Sequence, residues 1–185
     1  MCSSDLGIDV LFNNAGLTRH ISFLDIEEEH WDQIHRVNSK GAFFCMQKIA
    51  RSMVARGQGG RIVNTASIAG RGYRRTSNAA YAASKGAVIA MTYIASSVLA
   101  PHDINVNAVC PGIVQTNMLS GILSGRSDDS GSTSNELRDA MVEEIPIGRA
   151  NEADDVSALA VFLAGPGSRN ITGQAFNVDG GMIMS

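Results

Sequence analysis

The sequence has few of the residues that build disulfide frameworks and metal sites. Its cysteines are three (Cys2, Cys45 and Cys110), and none forms a C-x-x-C pair. The four histidines show no spacing typical of metal ligands. These absences disfavour a disulfide-rich secreted fold and a structural metal site. They predict a reduced, cytoplasmic protein without a metal.

Positive charge and long apolar runs are also scarce. Lysine and arginine number 15 against 18 acidic residues, which gives a formal net charge of −3. Nucleic-acid binding would require a basic surface, and a membrane span would require about 20 apolar residues in a row. The sequence predicts neither partner. The one basic cluster, from Arg71 to Arg75, is interpreted as a solvated loop, and an anion-contacting rim of a substrate site is the alternative.

The sequence does contain alternating strand-like and helix-like segments. Its 185 residues are 44% hydrophobic, which is enough for one core. Strands are predicted at IDVLFNN, RIVNTAS, INVNAVC and QAFNVDGG. Helical crossovers between apolar strands predict a parallel sheet with helices on both faces. The expected fold class is therefore α/β, as the C-terminal part of a doubly wound, Rossmann-like domain.

Capping residues and composition predict where the helices begin and end. Asp25 has the spacing of a capping box with Glu28, and the helix that follows should end at Gly57. Asn151 is the expected cap of the last helix. Over residues 121–135 the composition changes to Gly, Ser, Asp and Thr, which predicts a mobile loop.

Four polar residues are candidates for chemistry. Tyr81 and Lys85 are four positions apart on one helix and therefore share a face. Ser67 follows the second strand, at the sheet edge where ligands bind, and Asn38 is a poor helix former inside the first helix. A free tyrosine has a pKa near ~10, and an ammonium at ~4 Å supplies about 4 kcal/mol toward the phenolate. Such a set suits proton transfer to or from a hydroxyl, although the Tyr–Lys pair alone could also be structural.

These residues occur together with NNAG after the first strand and PG-x-V-x-T after the third. In this order, from about Ile8 to the C-terminus, the chain resembles the classical short-chain dehydrogenase/reductase family. The segments PIGRANEADDV and GQAFNVDGG extend the resemblance. The resemblance implies NAD or NADP as cofactor, a small-molecule alcohol or ketone as substrate, and a homo-oligomer, either a dimer or a tetramer.

The resemblance also implies a role for each candidate. Tyr81 is expected to be the general acid/base, and Lys85 to lower its pKa and hold the nicotinamide ribose. Ser67 is expected to hydrogen-bond the substrate oxygen, and Asn38 to hold a water that relays protons. Further cofactor contacts are implied at Asn14, Ala15, Gly16, Pro111, Gly112, Val114 and Thr116. Residues 121–141 correspond to a lid over the substrate.

Two features depart from the family pattern. One more residue than usual separates Ser67 from Tyr81, and the loop between them should absorb it. The glycine-rich turn TG-x-x-x-G-x-G is not found; at ~30 residues per βαβ unit, roughly 70–80 residues would precede Ile8. Residues 1–6 translate a string that resembles a sequencing adapter. We therefore expect residues 1–6 to be an artefact and residues 7–185 to be a single partial domain that lacks the first three βα units; a naturally shortened protein is the alternative.

The expected reaction is the interconversion of a secondary alcohol and a ketone, with a polyol, sugar or small diol as substrate. A 3-oxoacyl-carrier-protein reductase is the alternative, which the basic cluster from Arg71 to Arg75 would suit. A third hypothesis, of another class, is an inactive fragment whose helices over residues 25–56 and 79–100 only pair subunits. The residue that distinguishes NAD from NADP would lie about 20 residues past the glycine turn, so the sequence leaves that choice open.

Overall fold

Four parallel strands form the centre of the fold. The computed structural model describes residues 7–184, so the expectation for residues 1–6 lies outside the described residues. The strands are β1 (Val10–Asn13), β2 (Gly60–Thr65), β3 (Ile104–Pro111) and β4 (Ala175–Val178). Each is paired in parallel with the next, in the order β1-β2-β3-β4. The predicted α/β class with a parallel sheet is confirmed.

Helices connect the strands and cover both faces of the sheet. Over residues 7–184 they are α1 (Glu28–His35), α2 (Ala42–Arg56), α3 (Ala79–Leu99), α4 (Asn117–Ser130), α5 (Ser134–Val142) and α6 (Ala153–Ala164). A π-helical segment, Arg36–Gly41, joins α1 to α2. Ile62 and Val106 pack against α2 and α3, whereas Val63 and Val109 pack against Leu163 of α6. The two-sided burial explains why β2 and β3 carry apolar residues toward both faces of the sheet.

Two of the three predicted helix boundaries differ from the structure. Asp25 lies in a 3-10 turn, and α1 is capped two residues later by Glu27. α6 is capped by Glu152 and not by Asn151. In both helices, the backbone N–H of the cap residue donates to the side chain of the third helical residue. α2 ends as predicted, because Gly57 takes the left-handed conformation with φ +65°.

The expected mobile loop over residues 121–135 is helical except at residues 131–133. Thr116 caps α4 by accepting from the backbone of Leu119, and Thr133 begins α5 in a capping box. The two helices bury Leu123 and Met141 against each other and against the segments that flank them. Apolar residues four positions apart supply this packing. The Gly- and Ser-rich composition hides that periodicity, which is why the prediction was wrong.

The helical stretch Ala79–His102 is long and apolar enough to span a membrane by length and composition, with a mean hydropathy of 1.3. The sequence was expected to hold no such stretch. Length and composition are weak evidence here, because a core helix of a folded domain satisfies the same criteria. α3 packs against the sheet and buries Ser84, Lys85 and Thr92, which is the behaviour of a core helix.

We predict that Leu163→Ala destabilises the fold because it removes the fully buried contact of α6 with the sheet. Its free energy of unfolding should fall by about 2–4 kcal/mol. Val161→Ala, on the same helix and 66% exposed, should change the value by less than about 0.5 kcal/mol. Urea denaturation followed by circular dichroism measures both. Equal losses in the two variants would contradict the packing of α6 described above.

Candidate active site

A cavity of about 810 Å³ opens at the carboxyl ends of β1, β2 and β3. This is the edge at which ligands bind in open parallel sheets. Three of the four predicted catalytic residues, Ser67, Tyr81 and Lys85, line it, and Asn38 lies outside its lining. The cavity is also lined by every residue predicted to contact the cofactor, namely Asn14, Ala15, Gly16, Tyr81, Lys85, Pro111, Gly112, Val114 and Thr116.

Ser67 is positioned by the turn that follows β2. It caps a short 3-10 turn, and its Oγ accepts the backbone N–H of Ala69 at 3.1 Å. Because the oxygen is used as an acceptor, the hydroxyl hydrogen is free to be donated toward the cavity. Ser67 is buried, so its hydroxyl is directed by protein contacts rather than by solvent.

Tyr81 is held at the first turn of α3. Asn78 caps this helix, and its Oδ1 accepts the backbone N–H of Tyr81 at 2.7 Å. The Asn78 amide donates to the carbonyl oxygen of Arg19, also at 2.7 Å, which ties the helix start to the loop after β1. Sequence reasoning missed Asn78 as a positioning residue. The N-cap preference for asparagine directly before a helix could have identified it.

The pKa of Tyr81 departs from the expected direction. Burial raises its pKa above the ordinary value of 10.0, and a hydrogen bond with Ser67 opposes that rise. The sequence predicted that Lys85 would lower it. In the structure the Lys85 ammonium lies 5.8 Å from the centre of the Tyr81 ring and donates to the carbonyl oxygen of Thr65 at 2.7 Å. The Lys85 ammonium therefore interacts with the end of β2 as well as with the Tyr81 ring.

Lys85 is the buried cation of the site, with 3% of its surface exposed. Burial lowers its pKa from 10.5 to about 8, and the nearby Cys110 acts in the opposite direction. The desolvated ammonium is thus more acidic than a surface lysine. A group of this pKa loses its charge just above neutral pH.

Asn38 lies in the π-helical segment between α1 and α2 and is fully buried. Its Nδ2 donates to the carbonyl oxygen of Leu17 at 2.9 Å and to Ser84 Oγ at 3.1 Å. Its Oδ1 accepts the backbone N–H of Leu17 at 2.8 Å. These bonds explain an asparagine at a helical position, because the amide fastens the loop after β1 to α3. The relay of protons through a water at Asn38 stays a prediction.

Side-chain amides join the end of β1 to its neighbours, and the loop after β1 lies close to the Lys85 ammonium. Asn13 ties the end of β1 to α2 and to β2, since its Nδ2 donates to Ala42 O and Asn64 Oδ1. A Cβ on Gly16 would lie 3.3 Å from Lys85 Nζ. Glycine at position 16 therefore leaves room for a ligand and the ammonium together.

The loop between Ser67 and α3, interpreted from the sequence as a solvated loop, borders the site. Tyr73 and Arg75 line the cavity, and Arg71 donates to the carbonyl oxygen of Ala175. The solvated interpretation holds for Arg75, which is exposed, but not for the half-buried Arg71 and Tyr73. The positions of Tyr73 and Arg75 agree with the alternative, a rim of the substrate site.

Sequence comparisons identify relatives along nearly the whole chain. A family model described as enoyl-(acyl carrier protein) reductase matches residues 4–183. Sorbitol dehydrogenase of Cereibacter sphaeroides is 39% identical over 96% of this chain and 69% of its own length. Galactitol 2-dehydrogenase of Agrobacterium fabrum is 39% identical over 97% and 70%. A 3-oxoacyl-(acyl-carrier-protein) reductase of Staphylococcus epidermidis is 38% identical over 96% and 67%.

Solved structures show the same fold. A short-chain dehydrogenase/reductase from Mycobacterium marinum matches with a TM-score of 0.85 and 32% identity, over 95% of this chain and 65% of that one. A variant of actinorhodin polyketide ketoreductase with NADPH matches with a TM-score of 0.88 and 35% identity, over 95% of this chain and 67% of that one. A candidate 2-deoxy-D-gluconate 3-dehydrogenase from Agrobacterium tumefaciens with bound NADP matches with a TM-score of 0.83 and 34% identity, over 96% of this chain and 68% of that one.

The chain thus spans between 65% and 70% of the length of these relatives. Nearly all of the chain takes part in each match, and the structure brings Ser67, Tyr81 and Lys85 together at the sheet edge. On this sequence similarity, fold and site geometry, the chain belongs to the short-chain dehydrogenase/reductase family.

Proposed function

We propose that the protein is an NAD- or NADP-dependent oxidoreductase that interconverts a secondary alcohol and a ketone, with Tyr81 as general acid/base. The observation that carries the proposal is the meeting of three groups in one cavity: the Ser67 and Tyr81 hydroxyls and the Lys85 ammonium. An interaction module would not need a buried lysine beside a half-buried tyrosine. Burying an ammonium is costly and points to a functional role.

The side chains have complementary tasks in this reaction. The Ser67 hydroxyl binds the substrate oxygen and orients it toward Tyr81. Because burial raises the pKa of Tyr81, the phenol is protonated at neutral pH and can donate its proton to the oxygen of a ketone. In the opposite direction Tyr81 takes the proton of the alcohol, and the Lys85 ammonium stabilises the phenolate. The nicotinamide, when bound, supplies or accepts the hydride at the substrate carbon.

The described residues fit a nicotinamide cofactor. The segment from Asn14 to Gly16 borders the cavity beside Lys85, and the segment from Pro111 to Thr116 borders it at the end of β3. The small residues at positions 15 and 16 let a ligand approach the ammonium closely. These residues would hold NAD or NADP, and two of the similar structures contain NADPH or NADP.

A polyol, sugar or small diol is the substrate class we favour. Sorbitol and galactitol dehydrogenases are among the relatives at 39% identity. The cavity wall carries the hydroxyl groups of Thr18 and Ser77, whose oxygens lie 2.6 Å apart. Each can exchange hydrogen bonds with a substrate hydroxyl, which removes the penalty of burying that group unpaired.

A 3-oxoacyl thioester is the second candidate, favoured by a different wall of the same cavity. α4 and α5 contribute Met118, Leu119, Ile122 and Met141 to the lining. An alkyl chain gains free energy from contact with such a surface, whereas a polyol does not. A reductase of 3-oxoacyl carrier proteins is also among the relatives, at 38% identity.

Steady-state kinetics separate the two substrates. The complete gene product, read from the genomic frame that contains these residues, is assayed with NAD and NADP against sorbitol, galactitol and a small diol. The reductive direction of the reaction is assayed with a 3-oxoacyl thioester and the reduced cofactors. We expect the larger kcat/KM for a polyol or diol. A preference for the thioester would support the second candidate, and turnover of neither class would contradict the proposed function.

We also propose that the protein forms a homo-oligomer through α2 and α3. These helices expose the apolar side chains of Phe43, Phe44, Ile94 and Val98. Analytical ultracentrifugation would show a dimer or tetramer, and a monomer would contradict the proposal. The same purified 185-residue chain tests the fragment hypothesis: an oligomer that binds neither NADH nor NADPH would support a role in pairing only.

We predict that Tyr81→Phe abolishes most of the activity while leaving the fold intact. The substitution removes only the hydroxyl that transfers the proton, so kcat should fall by about 100-fold to 10,000-fold. Tyr93→Phe is the matched control, because Tyr93 lies on the same helix and is 43% exposed. It should retain activity. A Tyr81→Phe variant with a near-normal kcat would exclude Tyr81 as the general acid/base.

We predict that Lys85→Met is more stable than the wild type at pH 7, although it is inactive. Lowering the pKa of Lys85 from 10.5 to about 8 corresponds to roughly 3 kcal/mol against the charged form. The unfolded chain binds more protons between pH 8 and 10.5, so wild-type stability should rise with pH through that window. The gain of about 1–2 kcal/mol in the variant should shrink over the same window.

Thermal unfolding at pH 7, 8.5 and 10 measures this difference. Lys48→Met is the control, since Lys48 is exposed on α2, and it should show no comparable gain. A Lys85→Met variant that is less stable than the wild type at pH 7 would show that the hydrogen bond to Thr65 outweighs the burial of the ammonium.

A further inference from the structure

One wall of the cavity is held by a carboxylate that lies far from it in sequence. Glu144 follows α5, and its Oε1 forms an ion pair with Arg75 Nη1 at 2.6 Å. Its Oε2 accepts the hydroxyl of Tyr73 at 3.2 Å. Tyr73 and Arg75 belong to the loop over residues 72–78 and line the cavity. Glu144 therefore connects the end of α5 to the two side chains that form this wall.

Helix α4 also holds this loop. Arg126 of α4 donates through Nη2 to the carbonyl oxygens of Arg75, at 2.7 Å, and Thr76, at 2.9 Å. The main chain of the loop thus accepts hydrogen bonds from the Arg126 side chain of α4. Its side chains contact Glu144, which lies just after α5. We call Tyr73, Arg75, Glu144 and Arg126 the clasp.

The Tyr73 hydroxyl acts only as a donor to Glu144 under ordinary conditions. Burial, and then the negative charge of Glu144, raise the pKa of Tyr73 to about 12. The phenol therefore keeps its proton well above neutral pH. Because the hydroxyl is engaged by Glu144, the position of the Tyr73 ring depends on that carboxylate.

We propose that Tyr73 is a specificity-determining residue, and that its contact with Glu144 sets the size of the alcohol or ketone that the cavity accepts. The proposal rests on the proposed function. Holding the ring by its hydroxyl keeps it on the cavity wall, where it excludes the far end of a long substrate. Loss of the contact frees the ring to rotate toward solvent, and the cavity becomes larger at that wall.

Substrates of two lengths test the proposal in the complete gene product. The variants are Tyr73→Phe, Glu144→Ala and the double variant, with Glu143→Gln as matched control because Glu143 is the exposed neighbour of the same charge. The readout is the ratio of kcat/KM for sorbitol to that for butane-2,3-diol. Each single variant should raise the ratio by about fivefold, through a lower KM for sorbitol.

The double variant should raise the ratio no further than Glu144→Ala alone, because that substitution already removes the contact of Tyr73. Glu143→Gln should leave the ratio unchanged. A ratio that stays constant in all variants, or that changes equally in Glu143→Gln, would overturn the proposal. A merely structural clasp would lower the melting temperature without changing the ratio.

Trypsin digestion tests the clasp without turnover, since the loop carries the cleavage sites Arg74 and Arg75. Cleavage there should be about threefold faster in Glu144→Ala than in the wild type or Glu143→Gln. Protection by sorbitol relative to butane-2,3-diol should also increase in Glu144→Ala. Equal cleavage or unchanged protection would overturn the proposal. If the wild type turns over no alcohol or ketone, the proposed function fails while these two measurements still decide the clasp.

Discussion

The site depends on the burial of one ammonium group. Lys85 is almost inaccessible and donates to the carbonyl oxygen of Thr65 at the end of β2. This hydrogen bond joins α3 to the sheet edge at the point where the cavity opens. Gly16 approaches the same ammonium from the loop after β1. Three chain segments therefore converge on Lys85, and each of them also borders the cavity.

Asparagine side chains extend this arrangement. Asn38 connects the loop after β1 to α3 through Leu17 and Ser84, and Asn78 connects the same loop to the start of α3. The amide is suited to such a position because it donates and accepts at once. The loop after β1 is thus held from two sides by buried amides, which gives the cavity wall next to Lys85 a fixed geometry.

The cavity combines two surfaces of different chemistry. The segments that begin and precede α3 present hydroxyl groups, whereas α4 and α5 present methionine, leucine and isoleucine. Ser67, Tyr81 and Lys85 lie on the polar side, in the part of the fold formed by the sheet and α3. Helices α4 and α5 contribute the apolar side.

The sequence predicts the sheet and the proximity of Tyr81 to Lys85 because both depend on local signals. Apolar strands separated by helices leave few topologies, and Tyr81 and Lys85 share a helix face by their spacing alone. Burial is not local, so the rise in the pKa of Tyr81 could not be predicted. The proximity of Tyr73 and Glu144, 71 positions apart, depends on the packing of the lid. Helix α4 was missed because glycine and serine separate its few apolar residues.

The π-helical segment Arg36–Gly41 has a consequence for insertions and deletions. A π-turn holds one residue more than an α-turn, so α1 and α2 are out of phase with each other by about 100°. Deleting a single residue there would restore a continuous α-helix. Either Asn38 or the apolar face of α2 would then point away from its partners. Variation in length should therefore be rarer at this segment than in any surface loop of the fold.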